Sequence, residues 1–168
     1  MRRKWNERYK NLTKRPPVNG YLQRLAAKLP KGRALDIGCG VGQNSEFLAK
    51  MGWEVDAVDI SQVGLAKLTE HASIHPHCMD IRNFDIKKER YDLILSINFL
   101  DTTLFSKIEE GLRSGGVFLI QTFTPHSDMN PKFTIEPQEL LRAFEGLHVL
   151  YYDCFDEERQ VVLIAQKD

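Results

Sequence analysis

Asp36, Gly38, Gly40 and Gly42 stand two residues apart, and Asp59 follows at the end of the same stretch, Ala34 to Ser61. Glycines at this spacing leave the backbone bare for a ligand, and they adopt φ values that side chains resist. An acid two residues before the first glycine repels a pyrophosphate. It suits an ammonium group, reached through a water or a backbone contact. The elements that must position these residues are legible around them. Leu35 and Ile37 belong to a short apolar run that fits a buried parallel strand. Phe47, Leu48 and Met51 recur at helical spacing, with Gly52 as the stop. Val55, Ala57 and Val58 form a second strand, which sets Asp59 at its carboxyl end, the ligand-binding edge of open α/β sheets.

Two cofactor classes use such a unit. A dinucleotide turn wants G-x-G-x-x-G, but here the third position falls on Gln43 and the glycine is Gly42. Asp36 and the displaced glycine therefore favour a cationic ligand that carries a ribose. D-x-G-x-G-x-G, followed by an acid after the second strand, resembles the class I S-adenosylmethionine (SAM) methyltransferases. The resemblance implies SAM as cofactor and S-adenosylhomocysteine as product. It implies that the turn at Asp36, Gly38, Cys39, Gly40 and Gly42 holds the amino-acid part, and that Asp59, with Ile60 beside it, binds the ribose. A nicotinamide-dependent oxidoreductase and a non-catalytic SAM-binding subunit are the alternatives.

The length suits one domain, with an N-terminal arm and cap helix over residues 1–30 and a Rossmann-like core over 33–168. Formal net charge is zero, which argues against general binding to nucleic acid or to an anionic membrane. No apolar run approaches a membrane span, and MRRKWNERYK has no apolar segment behind it, so it is not a secretory signal. Cys39, Cys78 and Cys154 form no C-x-x-C pair, which points to a reducing cytoplasm.

The arm, residues 1–19, is basic and aromatic, and one reading of it is a solvated segment that packs Trp5 and Tyr9 on the domain. Its W-x-x-R-Y resembles the start of the tellurite-resistance (TehB-like) and thiopurine methyltransferase branch. The resemblance implies that the arm covers the cofactor, with Trp5 against its methionine end. Pro16 and Pro17 break any helix from the arm. Tyr21, Leu22, Leu25, Ala26 and Leu29 fit one helix face, and Ser61 caps a helix carrying Val63, Leu65 and Leu68. Ile74 to Met79 reads as the third strand. Its His71, His75, His77, Cys78 cluster matches no standard zinc signature, so no metal is expected. Asp80, just after this strand, is where the family contacts the adenine amino group, with Ile81 against the ring; a plain turn cap is the other reading.

Tyr91 to Ile97 is a central strand that brings Ser96 and Asn98 to the ligand edge as further cofactor candidates. Thr103 to Arg113 reads as a helix, Ser114 to Gly116 as a turn and Val117 to Phe123 as the fifth strand. Glu136 to Phe144 is a last helix. Leu147 to Phe155 and Gln160 to Gln166 form a hairpin. The expected fold is α/β: a Rossmann-like, doubly wound, mostly parallel seven-stranded sheet with a C-terminal antiparallel hairpin. The irregular stretch Thr122 to Phe133 follows a strand edge, where loops carry function. Within it His126 is the candidate general base. The expected acceptor is a small molecule, and a thiol or reduced chalcogen would need little help from a base. The acceptor's identity and the oligomeric state stay open at this level.

Overall fold

A computed structural model describes residues 1–168, which divide into two compact units, Met1–Asp85 and Ile86–Asp168. The first unit runs α1 (Arg2–Lys10), α2 (Gly20–Ala26), β1 (Arg33–Ile37), α3 (Gln43–Lys50), β2 (Glu54–Asp59), α4 (Gln62–Leu65) and β3 (Ile74–Cys78). Its strands lie in the order β3-β2-β1 and are parallel throughout. Leu35, Val55, Ala57 and Val58 are fully buried, which is why these runs lack the polar alternation of a one-faced strand. The edge strand β3 is mostly exposed and pairs its histidines with acids of β2, His75 with Glu54 and His77 with Asp56.

The second unit runs β4 (Tyr91–Ile97), α5 (Phe105–Gly111), β5 (Leu112–Phe123), α6 (Pro137–Ala143), β6 (His148–Phe155) and β7 (Gln160–Gln166). Strand order is β4-β5-β7-β6, with β4 parallel to β5 and the last two pairings antiparallel. Phe118 and Phe105 each pack on Phe144 at 4.8 Å between ring centroids. The seven strands thus follow the Rossmann-like, doubly wound plan with its C-terminal hairpin.

The first ten residues of the arm contain the helix α1, which ends before Pro16 and Pro17. Two local expectations are corrected. The helix after Ser61 stops at Leu65, because the chain turns there to send Leu68 into the cluster of Cys39, Ala49, Ala57 and Ile74. The helix expected to reach Arg113 ends at Gly111, where the Lys167 ammonium takes the carbonyls of Glu109 and Leu112 at 3.0 and 2.9 Å. Leu112 already pairs with Tyr91 and the next matched pair is Leu93 with Val117, so residues 113–116 bulge from the ladder instead of preceding it.

Candidate functional site

The turn after β1 is built on three left-handed glycines, Gly38 (φ 66°), Gly40 (φ 59°) and Gly42 (φ 82°). It is stitched to the end of β2. Gly38 and Cys39 both donate their N–H to the Val58 carbonyl, at 2.9 and 3.1 Å. Gly40 N–H donates to Asp59 Oδ2 at 2.8 Å, and Gly42 N–H returns to the Cys39 carbonyl at 2.9 Å. These four amides are therefore spent inside the fold. A pyrophosphate cradle uses free backbone amides, and these four are not available to one.

The acids tell the same story. Asp59 is 7% exposed, and its second oxygen accepts from Ser61 N–H at 2.8 Å. Burial raises its pKa, against the pull of the Ser61, Gly40 and Ile60 amides. Asp36 is 2% exposed and accepts a bond from the Ser45 hydroxyl at 2.7 Å. Burial pushes it up to about 6, the Ser45 bond opposes the rise and the Asp59 charge adds to it. Neither carboxylate has a Lys, Arg or His partner. Gln43 Oε1, next in the chain after Gly42, is a buried acceptor with no donor. Two buried carboxylates and an orphan acceptor without a protein cation fit a ligand carrying positive charge and hydroxyl groups. SAM has both, with its ammonium, its sulfonium and its ribose diol.

Asp36 also makes a prediction about pH. It ionises at 3.8 in an unfolded chain and at about 6 when folded. Its favourable contribution is therefore complete below the lower value, is lost as pH rises through this window and stays lost above it. Asp36→Asn is expected to flatten that slope and to stabilise the ligand-free protein at pH 7 by about 2–3 kcal/mol. Urea melts across this range measure it. A variant with an unchanged slope would take Asp36 out of the account.

Tyr9 is the group that sequence reasoning missed. A Cβ built on Gly40 would lie 2.8 Å from the Tyr9 hydroxyl, and one built on Gly64 would lie 2.9 Å from its ring. Helix α1 is pinned to the segment after β2, with Arg2 Nε donating to the Ile60 carbonyl at 3.1 Å and the Ser61 hydroxyl donating to Asn6 Oδ1 at 2.6 Å. Trp5 stacks on Tyr9 at 5.8 Å, and the Arg8 guanidinium lies 5.4 Å from the Trp5 ring. Arg15 extends the strap, with Nη2 on the Val41 carbonyl at 3.0 Å and on Glu46 at 2.7 Å. The W-x-x-R-Y spacing held the signal, since Trp5 and Tyr9 are one helical turn apart.

Asp36, Gly38, Cys39, Gly40, Gly42 and Asp59 come together here. Cys39 is buried, which holds its thiol well above the ordinary range. Asp80 caps the 3-10 turn Ile81–Asn83 by accepting from Arg82 N–H, and it also takes the Arg82 guanidinium at 2.6 Å. Ile81 is buried. In the second unit, the Ser96 hydroxyl donates to the Phe99 carbonyl at 2.9 Å, and Asn98 has φ 55° and donates its N–H to the Gln121 carbonyl. His126 is exposed, with its N–H on Thr124 Oγ1 at 3.2 Å. No group of three or more His, Cys, Asp and Glu is arranged to hold a metal ion, and no helix is long and apolar enough to cross a membrane.

Comparison with known proteins agrees with this geometry. A family described as "Methyltransferase domain" matches residues 34–116. The putative methyltransferase YqeM of Bacillus subtilis is 29% identical over 90% of this chain and 76% of its own length. The ubiquinone biosynthesis O-methyltransferase of Nitrobacter winogradskyi is 34% identical over 54% of this chain. The chain spans only 38% of that relative. Among solved structures, TehB from Haemophilus influenzae superposes with a TM-score of 0.79 at 21% identity, over 98% of this chain and 67% of that one. A phosphoethanolamine N-methyltransferase from Haemonchus contortus, solved with SAM, gives 0.74 at 17% identity, over 97% of this chain and 56% of that one.

Proposed function

We propose that this chain, which belongs to the class I SAM-dependent methyltransferases and resembles TehB in fold, transfers the methyl group of SAM to a small-molecule acceptor. The observation that carries the proposal is the pair of buried carboxylates, Asp36 and Asp59, facing a glycine turn with no protein cation beside them. In this reading Asp36 and the turn hold the amino-acid end. Asp59 takes the ribose hydroxyls on the lone pairs that Gly40 and Ser61 leave open, and Ile60 packs beside it. Asp80 and Ile81 receive the adenine, and Ser96 and Asn98 complete the set. Trp5, stacked on Tyr9, lies against the methionine end of the cofactor in this reading.

Bound SAM supplies an activated methyl carbon. The acceptor's lone pair forms the new bond as the carbon–sulfur bond breaks, which leaves S-adenosylhomocysteine. The protein's task is placement and exclusion of water, and good alignment alone removes about 7–11 kcal/mol of barrier. A thiol or reduced chalcogen is the proposed acceptor class, since a soft nucleophile needs no strong base and His126 is not held by a partner that would orient its ring. The three free cysteines suit a reducing cytoplasm. Formal net charge of zero gives no general attraction for nucleic acid.

The test is formation of S-adenosylhomocysteine from SAM against a panel of small thiols and selenols, with RNA and a protein extract as separate arms. Turnover on one of the small acceptors supports the assignment. Turnover on RNA or protein alone would replace the acceptor class.

A further inference from the structure

We propose that Tyr9 is a cofactor-contacting residue whose phenol hydroxyl donates a hydrogen bond to the carboxylate at the amino-acid end of SAM. This rests on the cofactor reading above and deepens it.

The hydroxyl lies over the bare face of the glycine turn, 2.8 Å from where a Gly40 side chain would start. It makes no hydrogen bond within the protein, although its ring is half-buried between Gly40 and Gly64. The hydroxyl therefore keeps its donor for a ligand or water that reaches the turn. Burial, then the nearby charges of Asp59 and Cys39, raise the phenol's pKa far above the ordinary tyrosine value, with Arg8 opposing and Asp36 adding to the rise. The phenol is therefore a neutral donor at every working pH. An amino-acid end presents an ammonium, which the acids take, and a carboxylate, which needs donors. The amides of Gly38, Cys39, Gly40 and Gly42 are already committed elsewhere, which leaves the Tyr9 hydroxyl among the donors still open at this turn. The stacking of Trp5 on Tyr9, and the pins at Arg2 and Asn6, hold the phenol in place before any ligand arrives.

The experiment is calorimetric titration of the full chain and Tyr9→Phe with S-adenosylhomocysteine and with methylthioadenosine, which lacks the amino-acid carboxylate. Tyr9→Phe keeps the ring, so the strap's packing is retained, and equal thermal midpoints check this. The expected result is a loss of about tenfold or more for S-adenosylhomocysteine, with methylthioadenosine unchanged. Equal affinity of both proteins for both ligands would overturn the inference and leave the cofactor reading standing. An equal loss for both ligands would also overturn it, because Tyr9 would then act through packing. Failure of the parent protein to bind either ligand would overturn the cofactor reading and the inference with it.

Discussion

Asp59→Ala is expected to weaken SAM binding by about ten- to a hundredfold. A charge-assisted hydrogen bond is worth about 1.5–3 kcal/mol, and Asp59 is the one buried carboxylate at the end of β2. The effect has two parts that point the same way. The ribose loses its acceptor, and the amides of Gly40 and Ser61 lose theirs, so the turn also loses its stitch to β2. Stability changes less than affinity, because the substitution also removes a buried charge whose pKa is raised by burial. Isothermal titration alongside a thermal melt separates the two. Parent-like affinity would remove Asp59 from the site.

Gly40→Val is the second large effect, and it is expected to abolish binding. A φ of 59° strains any side chain by about 1–3 kcal/mol, most of all a β-branched one. The new Cβ would also meet the Tyr9 hydroxyl at 2.8 Å. Either Tyr9 moves and α1 loosens, or the turn shifts away from β2; both outcomes damage the same site. Because the clash is with the end of a side chain from a terminal helix, the fold should survive. Gly42→Val makes the internal comparison, since there the side chain would run into Leu68 within the core cluster and should lower stability as well. If Gly40→Val bound SAM like the parent, the glycine turn would not be the cofactor site.

How much of this was legible in the sequence follows the distance over which each contact is made. The strand, turn, helix and second strand from Arg33 to Asp59 form a local unit, and glycine spacing and apolar runs specify it. The hairpin of β6 and β7 was legible for the same reason. Its turn residues Asp156, Glu157 and Glu158 all have positive φ, a feature that charge alone does not announce. The position of Asp36 was legible; its partner Ser45 was not, because that bond depends on how α3 docks. Tyr9 was hidden behind Trp5 in a basic segment that read as an arm. Its place over the glycine turn appears only when α1 is seen resting on Gly40 and Gly64. The bulge at residues 113–116 was misread as a turn because Ser-Gly-Gly serves both, and only pairing with β4 decides between them. Asp80 shows the converse: its place after β3 is plain from sequence, while its engagement by Arg82 is a matter of side-chain reach.

The most direct test of the central claim is parallel calorimetric titration of the purified protein with SAM, S-adenosylhomocysteine and NADH. Saturable binding of the first two and none of NADH is expected, since two buried acids, Asp36 and Asp59, without a protein cation favour a cationic ligand over a pyrophosphate. Binding of NADH without SAM would contradict it, and would reassign Asp59 to the ribose of a dinucleotide.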